Sequence, residues 1–524
     1  MQHELDYLII GSGFGGAVSA LRLAEPGWRV AVAEQGRRIE SEDIAQAKQK
    51  FWKLLWMPAL GMKGYFAQFF FRHMAVIGGV GVGGGSLVWA AVMLEPKQAF
   101  YQKMATRFPG INWQRELQPC FETAKRMLGV SINPKQTEQD HLLQATAQAL
   151  GAGHTFGSVP NAVYFGQPGV VSADPFFDGA GPSRMGCQSC GGCMTGCEFG
   201  SKNSLDKNYL HLAQQKGATI WPEMKADRIE PLKGGGYKVT LVSTFNKADS
   251  RTVTARHVVL SGGVIGTLDI LFRNRDVYQT LPKISSTLGQ VVRTNSESIT
   301  AVLHPPGVDM TDGTAISTDF HPDHTTHVTQ NRFDRGYRFM KPYFVPMVDE
   351  PIMWRRAVKT LLSTVRHLVT WVSSLAASEW EKRITVFTVM QDMDNHLRMA
   401  FGRTFWWPFH MRLKTHENKG HEAPSYLQVA NRVTREFARQ AGGAPLSMAS
   451  EALLGLSTTA HVLGGCPMGQ TAADSVISTQ HEVHGYPGLF VVDASSIPDN
   501  IGVNPSLTIT AMAERFAANH IHSK

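Results

Sequence analysis

The stretch Asp6-Tyr-Leu-Ile-Ile10 runs directly into Gly11-Ser-Gly13-Phe-Gly15-Gly16 and gives the clearest indication of the fold class. The apolar run predicts a short buried strand, and the glycines after it form a GxGxxG turn. The residues from Ala17 to Leu23 follow a helical pattern, and Val30-Ala-Val-Ala33 predicts a second strand that ends at Glu34. Such a βαβ unit lets the backbone approach a pyrophosphate, and its terminal acid accepts hydrogen bonds from a ribose. We predict dinucleotide binding here, with an unliganded glycine turn as the alternative.

Composition places the chain among globular proteins. Its 524 residues are 43% hydrophobic and 18% charged, which excludes a disordered chain. At roughly 150 residues per domain the length suggests three or four domains, although two large interleaved domains fit as well. Fifty-one Lys and Arg against 43 Asp and Glu leave a net charge of +8 without a long basic run, so nucleic acid is not an expected partner. The excess of positive charge would favour contact with an anionic membrane surface or with an acidic redox partner.

Targeting patterns and cysteine usage indicate a cytoplasmic protein. The first apolar stretch lacks the basic region and cleavage site of a secretory signal, and no stretch reaches the roughly 18 apolar residues of a membrane span. Four of the six cysteines fall within eleven residues, unlike the disulfide framework of a secreted protein. We expect a cytoplasmic location, with peripheral contact at a membrane left open.

Two other segments, far apart in the chain, extend the dinucleotide pattern. Five glycines occupy the seven positions from Gly79 to Gly85, as backbone pressed against a flat or phosphorylated ligand requires. Near the other end, Gly488-Leu-Phe-Val-Val-Asp493 predicts a buried strand that delivers an acid to a turn. Contacts from both ends of the chain predict an extended cofactor held by a discontinuous domain.

Taken in order, these motifs resemble the glucose–methanol–choline (GMC) oxidoreductases, FAD enzymes that oxidise alcohols, and most of all their bacterial cholesterol oxidase branch. The matching segments are Gly11 to Gly16 with Glu34, Gly81-Val-Gly-Gly-Gly-Ser-Leu-Val88 with Glu95-Pro96, Gly263-Val-Ile-Gly-Thr267, His461-Val-Leu-Gly-Gly-Cys466, Asp493, and Gly502 to Arg515. Residues 300–455 match only loosely.

The resemblance implies a fold and a division into domains. The fold class is α/β, with a Rossmann-type FAD-binding domain (the GMC fold) and an inserted α+β substrate-binding domain. The FAD-binding domain is expected to be discontinuous, over residues 1–110, 186–299 and 456–524. The substrate-binding domain then takes residues 111–185 and 300–455, with a mixed or antiparallel sheet over the flavin.

The resemblance also implies which residues hold FAD. The turn glycines would meet the pyrophosphate, Glu34 the adenosine ribose and the backbone of Ala226 the adenine, whereas Asp493 and Asn504 would lie near the isoalloxazine. The expected cofactor contacts are Gly11, Gly13, Phe14, Gly15, Gly16, Glu34, Gly83, Gly84, Gly85, Ser86, Ala226, Gly262, Asp493, Asn504 and Pro505. The chain departs from cholesterol oxidases at Trp89-Ala90-Ala91, where they have an Asn and glycines, so a polar flavin contact is lost or replaced.

Oxidation of an alcohol on a flavin requires hydride transfer from carbon while a base takes the hydroxyl proton. His461 is the candidate base or orienting group and Asn504 its amide partner, because both stand in motifs of the family. A hydrogen bond within the core is the alternative role for His461. Sterol oxidases also isomerise a double bond with a carboxylate, for which Glu381 is a candidate and surface solvation the alternative.

The segment Cys187-Gln-Ser-Cys190-Gly-Gly-Cys193-Met-Thr-Gly-Cys197 has C-x₂-C-x₂-C-x₃-C spacing, which resembles the ferredoxin iron–sulfur run. Glu198 stands where ferredoxins have a proline, and the sequence has no second quartet. An iron–sulfur cluster, a structural zinc ion, and free thiols or a disulfide all remain open. A cluster would favour a dehydrogenase that passes electrons onward, and its absence would favour direct use of oxygen.

A segment in the middle of the chain predicts an amphipathic helix, with apolar residues at three- and four-residue steps and basic residues between them. Its apolar positions are Trp354, Val358, Leu361, Leu362, Val365, Leu368, Val369, Val372 and Leu375. This face either packs on the substrate domain or inserts into a membrane interface, from which a water-insoluble substrate would enter. Aromatic-rich segments at Phe51–Met57 and Tyr65–Phe71 suit the second interpretation.

The favoured function is FAD-dependent oxidation of a hydroxyl group on a bulky lipophilic alcohol, above all a sterol or steroid, with oxygen or another electron acceptor. One alternative is a GMC dehydrogenase for a long-chain or aromatic alcohol that passes electrons through an iron–sulfur cluster to a quinone or protein. A different class of function is a flavin- and metal-binding redox sensor or electron carrier without turnover. The pairing of His461 with Asn504 argues against that class.

Overall fold

The βαβ unit predicted at the amino terminus is present in the computed structural model, which describes residues 3–246, 248–368, 371–372, 375, 378–404 and 407–521. Its strands are Leu5–Ile10 and Val30–Ala33, and its helix is Phe14–Ala24. Both strands are buried and pair in parallel, with Leu8 opposite Ala31. The predicted unit is confirmed.

The first sheet is mixed and contains this unit. Its parallel strands, in spatial order, are Thr219–Trp221, Val30–Ala33, Leu5–Ile10, Ser250–Leu260 and Leu489–Val491. An antiparallel meander through Tyr237–Ser243 and Met224–Pro231 also adjoins Ser250–Leu260. Parallel strands end at one edge of a sheet, so the residues that follow four of them gather there. These residues are Gly11, Glu34, Ser261 and Val492.

Helix packing brings the two ends of the chain together. The helix Phe14–Ala24 packs against Ser506–Ile521 and Tyr209–Gln215, and Ser506–Ile521 also packs against Trp113–Met127. The last helix of the described chain therefore lies beside the first. Asn504 lies two residues before that last helix, so its backbone position is tied to this helix pair.

The second sheet has seven strands, all paired antiparallel, from the middle of the chain. In spatial order they are Phe344–Pro346, Ala444–Met448, Ser298–Leu303, Ile384–Gln391, Thr326–Asn331, Thr318–Phe320 and Gly157–Ser158. The helices Glu138–Ala149 and Gln428–Ala441 pack together, and their apolar core includes residues of the sheet. Ile299, Val386 and Thr388 of this sheet line a large cavity.

Short strands anchor the segment that carries His461. Ser457–Thr459 pairs in parallel with Met74–Gly79, and Leu463–Gly464 pairs antiparallel with Val292–Arg293. His461 lies between these two pairings, so the backbone is fixed on both sides of it. Other strands here are Phe66–Phe70, Leu397–Thr404 and Trp407–Glu417; other described helices are Ser41–Ala47, Phe51–Leu54, Gln98–Arg107, Gly263–Phe272, Met353–Arg366 and Ala449–Leu454.

The division into domains stays a proposal, with one adjustment. The first sheet draws its strands only from the segments assigned to FAD binding, and the second sheet draws nearly all of its strands from the other two segments. The strand Ser298–Leu303 crosses the proposed boundary at residue 299 but belongs to the second sheet. We therefore place that boundary before Ser298.

The predicted amphipathic segment contains the helix Met353–Arg366. Most of its apolar side chains are exposed, including Leu362 at 65% and Val365 at 70%. The alternative in which this face packs on the substrate domain does not hold for the described residues; Val369 lies outside them. No helix among the described residues is long and apolar enough to cross a membrane.

Candidate active site

A cavity of about 1680 Å³ lies between the two sheets and receives most of the predicted site residues. Glu34 and Ala226 line it at the edge of the first sheet, and His461 and Asn504 line it near the second. One space thus connects the dinucleotide turn with the candidate base.

Glu34 closes the dinucleotide end of this cavity. The hydroxyl and backbone N–H of Ser12 donate to its Oε2 at 2.7 and 3.0 Å, and the N–H of Gly36 donates to Oε1 at 2.8 Å. Burial raises the pKa of the Glu34 carboxyl. Protein donors alone fix this acid, and its remaining lone pairs suit a ribose hydroxyl.

The glycines of the turn serve two different purposes. A Cβ on Gly15 would lie 1.7 Å from the carbonyl oxygen of Val492, and one on Gly16 would lie 2.0 Å from that of Gly11. These positions need glycine for close backbone packing. A Cβ on Gly13 would meet no described atom within 4 Å, so that glycine faces open space. Gly13 also caps the helix Phe14–Ala24 without a described side-chain bond, which leaves its first N–H groups for an anion.

Most of the predicted cofactor residues line the cavity, but three do not. Those that line it are Gly11, Gly13, Phe14, Gly15, Glu34, Gly84, Gly85, Ala226, Gly262, Asp493, Asn504 and Pro505. Gly16 lies behind the turn, as its packing shows. The hydroxyl of Ser86 donates to the Gly83 carbonyl at 2.7 Å and accepts from the N–H of Leu205 at 3.0 Å, so Ser86 holds the loop together.

Asp493 delivers a buried carboxylate from the carboxyl end of the chain. The Thr267 hydroxyl donates to its Oδ2 at 2.6 Å, and the backbone N–H of Ser495 donates to Oδ1 at 2.8 Å. Burial raises the pKa of this carboxyl as well. Thr267 belongs to the helix Gly263–Phe272, so Asp493 connects two of the segments that carry the family motifs.

The departure at Trp89-Ala90-Ala91 lies in the cavity wall. The Trp89 ring packs against Phe14, with 5.0 Å between ring centroids. Its indole Nε1 is buried and has no hydrogen-bond partner among the described residues. The altered stretch therefore carries a polar N–H that no described protein group satisfies.

The structure brings the two candidate catalytic residues together. Nδ2 of Asn504 lies 3.2 Å from Nε2 of His461, and Oδ1 of Asn504 is buried without a partner among the described residues. On the opposite side of the ring, Nδ1 of His461 lies 3.1 Å from Oε2 of Glu297. A histidine, an amide and a carboxylate thus form one hydrogen-bonded row.

Sequence reasoning missed Glu297 and its neighbour Glu451. Both carboxylates are buried, and Glu297 lines the cavity. The sequence gives only weak evidence for a functional role of Glu297, because a Glu within the polar run from Thr294 to Ser298 is typical of a loop. Only the packing of that run behind His461 gives it a place in the site.

Glu381 lies outside the cavity lining. Its Oε2 accepts from Nε of Arg338 at 2.6 Å, and this two-bond ion pair occupies the carboxylate. The position therefore gives no support to Glu381 as an isomerisation base. The alternative prediction, that Glu381 is a solvated surface residue, is also wrong, because its side chain is only 7% exposed.

The four clustered cysteines are free thiols around one small cavity of about 20 Å³. Burial raises the pKa of Cys187 to about 11 and that of Cys193 to about 12. Among the described residues, the sets whose metal-ligating atoms lie within 4.8 Å of one another are Asp319, His321, His327 and Asp394, His396, His421. The cysteines are not such a set. A zinc ion would hold sulfurs about 3.8 Å apart, as Zn–S bonds near 2.3 Å require, so structural zinc is not supported.

A fixed carboxylate, a helix start without a described side-chain cap and a histidine–amide pair lie along one cavity, and these groups fit FAD and a redox enzyme that uses it. Models of the GMC oxidoreductase family match residues 182–274 and 362–513. Because cholesterol oxidases are also 38% identical to this chain over its full length, the chain belongs to this family, in its cholesterol oxidase-like branch, as an FAD-dependent enzyme that acts on the CH–OH group of alcohols.

Curated relatives match over the full chain. A cholesterol oxidase of Acinetobacter baumannii is 38% identical over 535 residues, which cover 100% of this chain and 95% of the relative. One from Mycobacterium tuberculosis is 38% identical and covers 99% and 91%. A long-chain-alcohol oxidase of Arabidopsis thaliana is 25% identical, over 99% of this chain and 67% of the relative.

Solved structures with the same fold have little sequence identity to this chain. Pyridoxine 4-oxidase from Mesorbium loti has a TM-score of 0.65 at 16% identity and covers 99% of this chain and 100% of its own. A formate oxidase from Aspergillus oryzae has a TM-score of 0.62 at 14% identity and covers 99% of both chains. These likenesses confirm the predicted α/β fold.

Proposed function

We propose that the protein oxidises a hydroxyl group on a bulky lipophilic alcohol, above all a sterol or steroid, with oxygen as electron acceptor. The observation that carries this proposal is an apolar chamber beside His461 and Asn504. Its wall includes Ile299, Phe333, Met340, Phe344, Val386 and Met448. Such a wall favours a large apolar body, while the base–amide pair receives its one hydroxyl. The cholesterol oxidases among the relatives agree with a sterol.

His461 would hold the substrate hydroxyl and take its proton at Nε2. Asn504 would place its amide beside the same oxygen, and the apolar wall would exclude water around it. Bound FAD supplies the hydride acceptor for this chemistry. The positions of the two side chains are set by the pairing of Ser457–Thr459 and Leu463–Gly464 and by the helix that begins at Ser506.

Replacement of the base tests the site. We expect His461→Ala to retain FAD and to slow anaerobic flavin reduction by alcohol by roughly 10²–10⁴-fold, the range for a lost acid–base group. Stopped-flow absorbance at the flavin band measures the rate, and bound FAD per protein controls for folding. Reduction at the wild-type rate would remove His461 from the mechanism.

A substrate series tests the alcohol class. Cholesterol, a long-chain primary alcohol and an aromatic alcohol are each mixed anaerobically with the FAD-loaded enzyme. Bleaching by the sterol at the lowest concentration supports the proposal. Preference for the long-chain alcohol would place the enzyme with the plant relatives instead, and no bleaching by any alcohol would favour a redox sensor.

We further propose that the substrate enters from a membrane interface. The helix Met353–Arg366 exposes Trp354, Leu362 and Val365 and carries basic residues, and Phe51, Trp52 and Leu60 are exposed elsewhere. Apolar side chains with basic neighbours suit an anionic bilayer. Sedimentation with anionic vesicles should fall for Leu362→Asp with Val365→Asp, at unchanged stability because both side chains are exposed. Equal sedimentation of wild type and variant would exclude this surface.

A dehydrogenase with a second redox centre is the other candidate, favoured by one observation at the cysteines. Lys202 lines the same small cavity, is fully buried, and donates to the carbonyl oxygens of Leu87 and Cys193 at 2.9 and 2.6 Å. Burial lowers its pKa to about 8. Thiolates that hold an iron–sulfur cluster would supply an anion beside this buried cation.

Iron and acid-labile sulfide in anaerobically purified protein decide between the two candidates. If the protein is an oxidase, we expect neither iron nor sulfide. We then expect one FAD per protein chain and turnover that is supported by oxygen. Iron and sulfide that disappear in Cys193→Ser, together with electron transfer to a quinone in place of oxygen, would favour the dehydrogenase.

A further inference from the structure

A buried carboxylate lies directly behind the proposed base. Glu297 is held between the strands Val292–Arg293 and Ser298–Leu303, so pairing on both sides fixes its backbone. Its Oε2 lies 3.1 Å from Nδ1 of His461, and its side chain is only 2% exposed. The contact is therefore shielded from water, where a charged acceptor acts strongly.

Neighbouring donors fix the Glu297 carboxylate as an acceptor. The hydroxyl of Thr459 donates to its Oε2 at 2.7 Å, and the backbone N–H of Ala460 donates to the same oxygen at 3.1 Å. The Thr459 hydroxyl also accepts from the backbone N–H of His461 at 2.8 Å. The segment that carries the base is thus tied to Glu297 through three consecutive residues.

An acceptor at this position determines which ring nitrogen of His461 carries hydrogen. Nδ1 must donate to Oε2, so in the neutral ring Nε2 keeps its lone pair. That lone pair faces the amide of Asn504, 3.2 Å away, at the cavity. This tautomer is the one that can take a proton from an alcohol, and the carboxylate also stabilises the imidazolium that results.

We infer that Glu297 is a positioning residue, which fixes the tautomer and orientation of His461 during alcohol oxidation. The inference rests on the proposed function of His461 as base. Glu297 acts through the ring and exchanges no proton with the substrate.

Glu451 offers a matched control, because it is a second buried glutamic acid close by. The hydroxyl of Ser298 donates to its Oε2 at 2.7 Å and the N–H of Ile299 to its Oε1 at 3.0 Å. Burial raises its pKa to about 8, so it is protonated at neutral pH. Glu451→Gln therefore preserves both size and charge, and Glu451 does not line the cavity.

The test compares anaerobic flavin reduction in FAD-loaded Glu297→Leu, Glu297→Gln, Glu297→Asp and Glu451→Gln. We expect Glu297→Leu to be slower than wild type by roughly 10–10³-fold, within the range for groups that orient a catalytic histidine. Gln keeps an acceptor and Asp keeps a charge, so each should recover part of the rate. Glu451→Gln should reduce at the wild-type rate.

The pH profile gives a readout that a structural role would not move. Without the carboxylate the imidazolium is less stable, so the acid limb of the reduction rate should shift to lower pH in Glu297→Leu. Because Glu297 acts through His461, the double variant with His461→Ala should be no slower than His461→Ala alone.

Two outcomes overturn the inference. One is reduction of Glu297→Leu at the wild-type rate, and the other is a full additional loss in the His461→Ala background. A wild-type rate in His461→Ala itself would instead contradict the proposed function. Should Glu297→Leu lose FAD or fail to fold, Glu297→Gln with its pH profile carries the same test.

Discussion

The two ends of the cavity are built in different ways. At the dinucleotide end, Ser12 donates to Glu34 at 2.7 Å across only 22 sequence positions. At the alcohol end, His461 contacts Glu297 and Asn504, which lie 164 and 43 positions away. A local unit supplies the turn and the acid of the first end, whereas every described contact of the His461 ring in the second end comes from a distant segment. Damage to the first end should abolish cofactor binding, whereas damage to the second should spare FAD and alter the chemistry.

The largest expected effect lies in the glycine turn. Gly15→Ala would place a Cβ 1.7 Å from the Val492 carbonyl oxygen, so the helix Phe14–Ala24 must move away from the end of the strand Leu489–Val491. We expect a loss of more than about 3 kcal/mol of stability, at the upper end of overpacking costs, and loss of most bound FAD. Thermal unfolding and flavin absorbance per protein measure both.

Gly13→Ala is the control for this prediction, because its Cβ would meet no described atom within 4 Å. The variant should fold like wild type and bind FAD more weakly, since Gly13 lines the cavity. If Gly15→Ala also kept its stability, close packing of the turn against the strand end would not be what fixes the dinucleotide site.

A smaller effect should come from Glu451, a buried acid near the alcohol end that does not line the cavity. The folded protein keeps the proton of Glu451 up to about pH 8, whereas the unfolded chain releases it above about 4.5. The unfolded state thus binds fewer protons between these values, and this group lowers stability as pH rises through the window. In Glu451→Gln that fall should largely disappear, as urea unfolding at pH 5, 6.5 and 8 would measure. Identical pH dependence in both proteins would contradict the raised pKa.

The smallest effect is expected for Glu381→Gln, which tests whether the alcohol end of the cavity includes Glu381. Glu381→Gln breaks the charged pair with Arg338, which is about one-third exposed, so we expect a loss of only about 1 kcal/mol. Flavin reduction and the ratio of isomerised to unisomerised steroid product should stay as in wild type. A changed product ratio would return Glu381 to the active site.

Several elements were predictable because their signals are local. The strand Leu5–Ile10, the helix Phe14–Ala24 and the strand Val30–Ala33 follow from apolar periodicity and the glycine turn, and all three are present. The pairing of His461 with Asn504 followed from family motifs. The glycine motifs of the family also predicted that Gly16, Gly83 and Ser86 contact FAD. The structure places these three residues outside the cavity lining.

Other features depend on contacts with residues that are distant in the sequence, and no local pattern predicts such contacts. Glu297 and Glu381 are both acids near apolar strands in the sequence. One lies behind a cavity-lining histidine and the other in an ion pair with an arginine. The exposure of the apolar face of the helix Met353–Arg366 could not be predicted either, because periodicity predicts an apolar stripe but not whether other residues cover it.

The dinucleotide unit could be predicted from the amino-acid sequence, because glycine geometry and short-range periodicity act within a few turns of chain. The family and the pair of candidate catalytic residues could be predicted from the resemblance of the motifs. The positions of Glu297 behind His461 and of Glu381 outside the cavity lining follow from long-range packing. Hydrogen bonds between segments more than a hundred residues apart depend on how whole sheets pack. That packing is set by the entire core and not by any one motif.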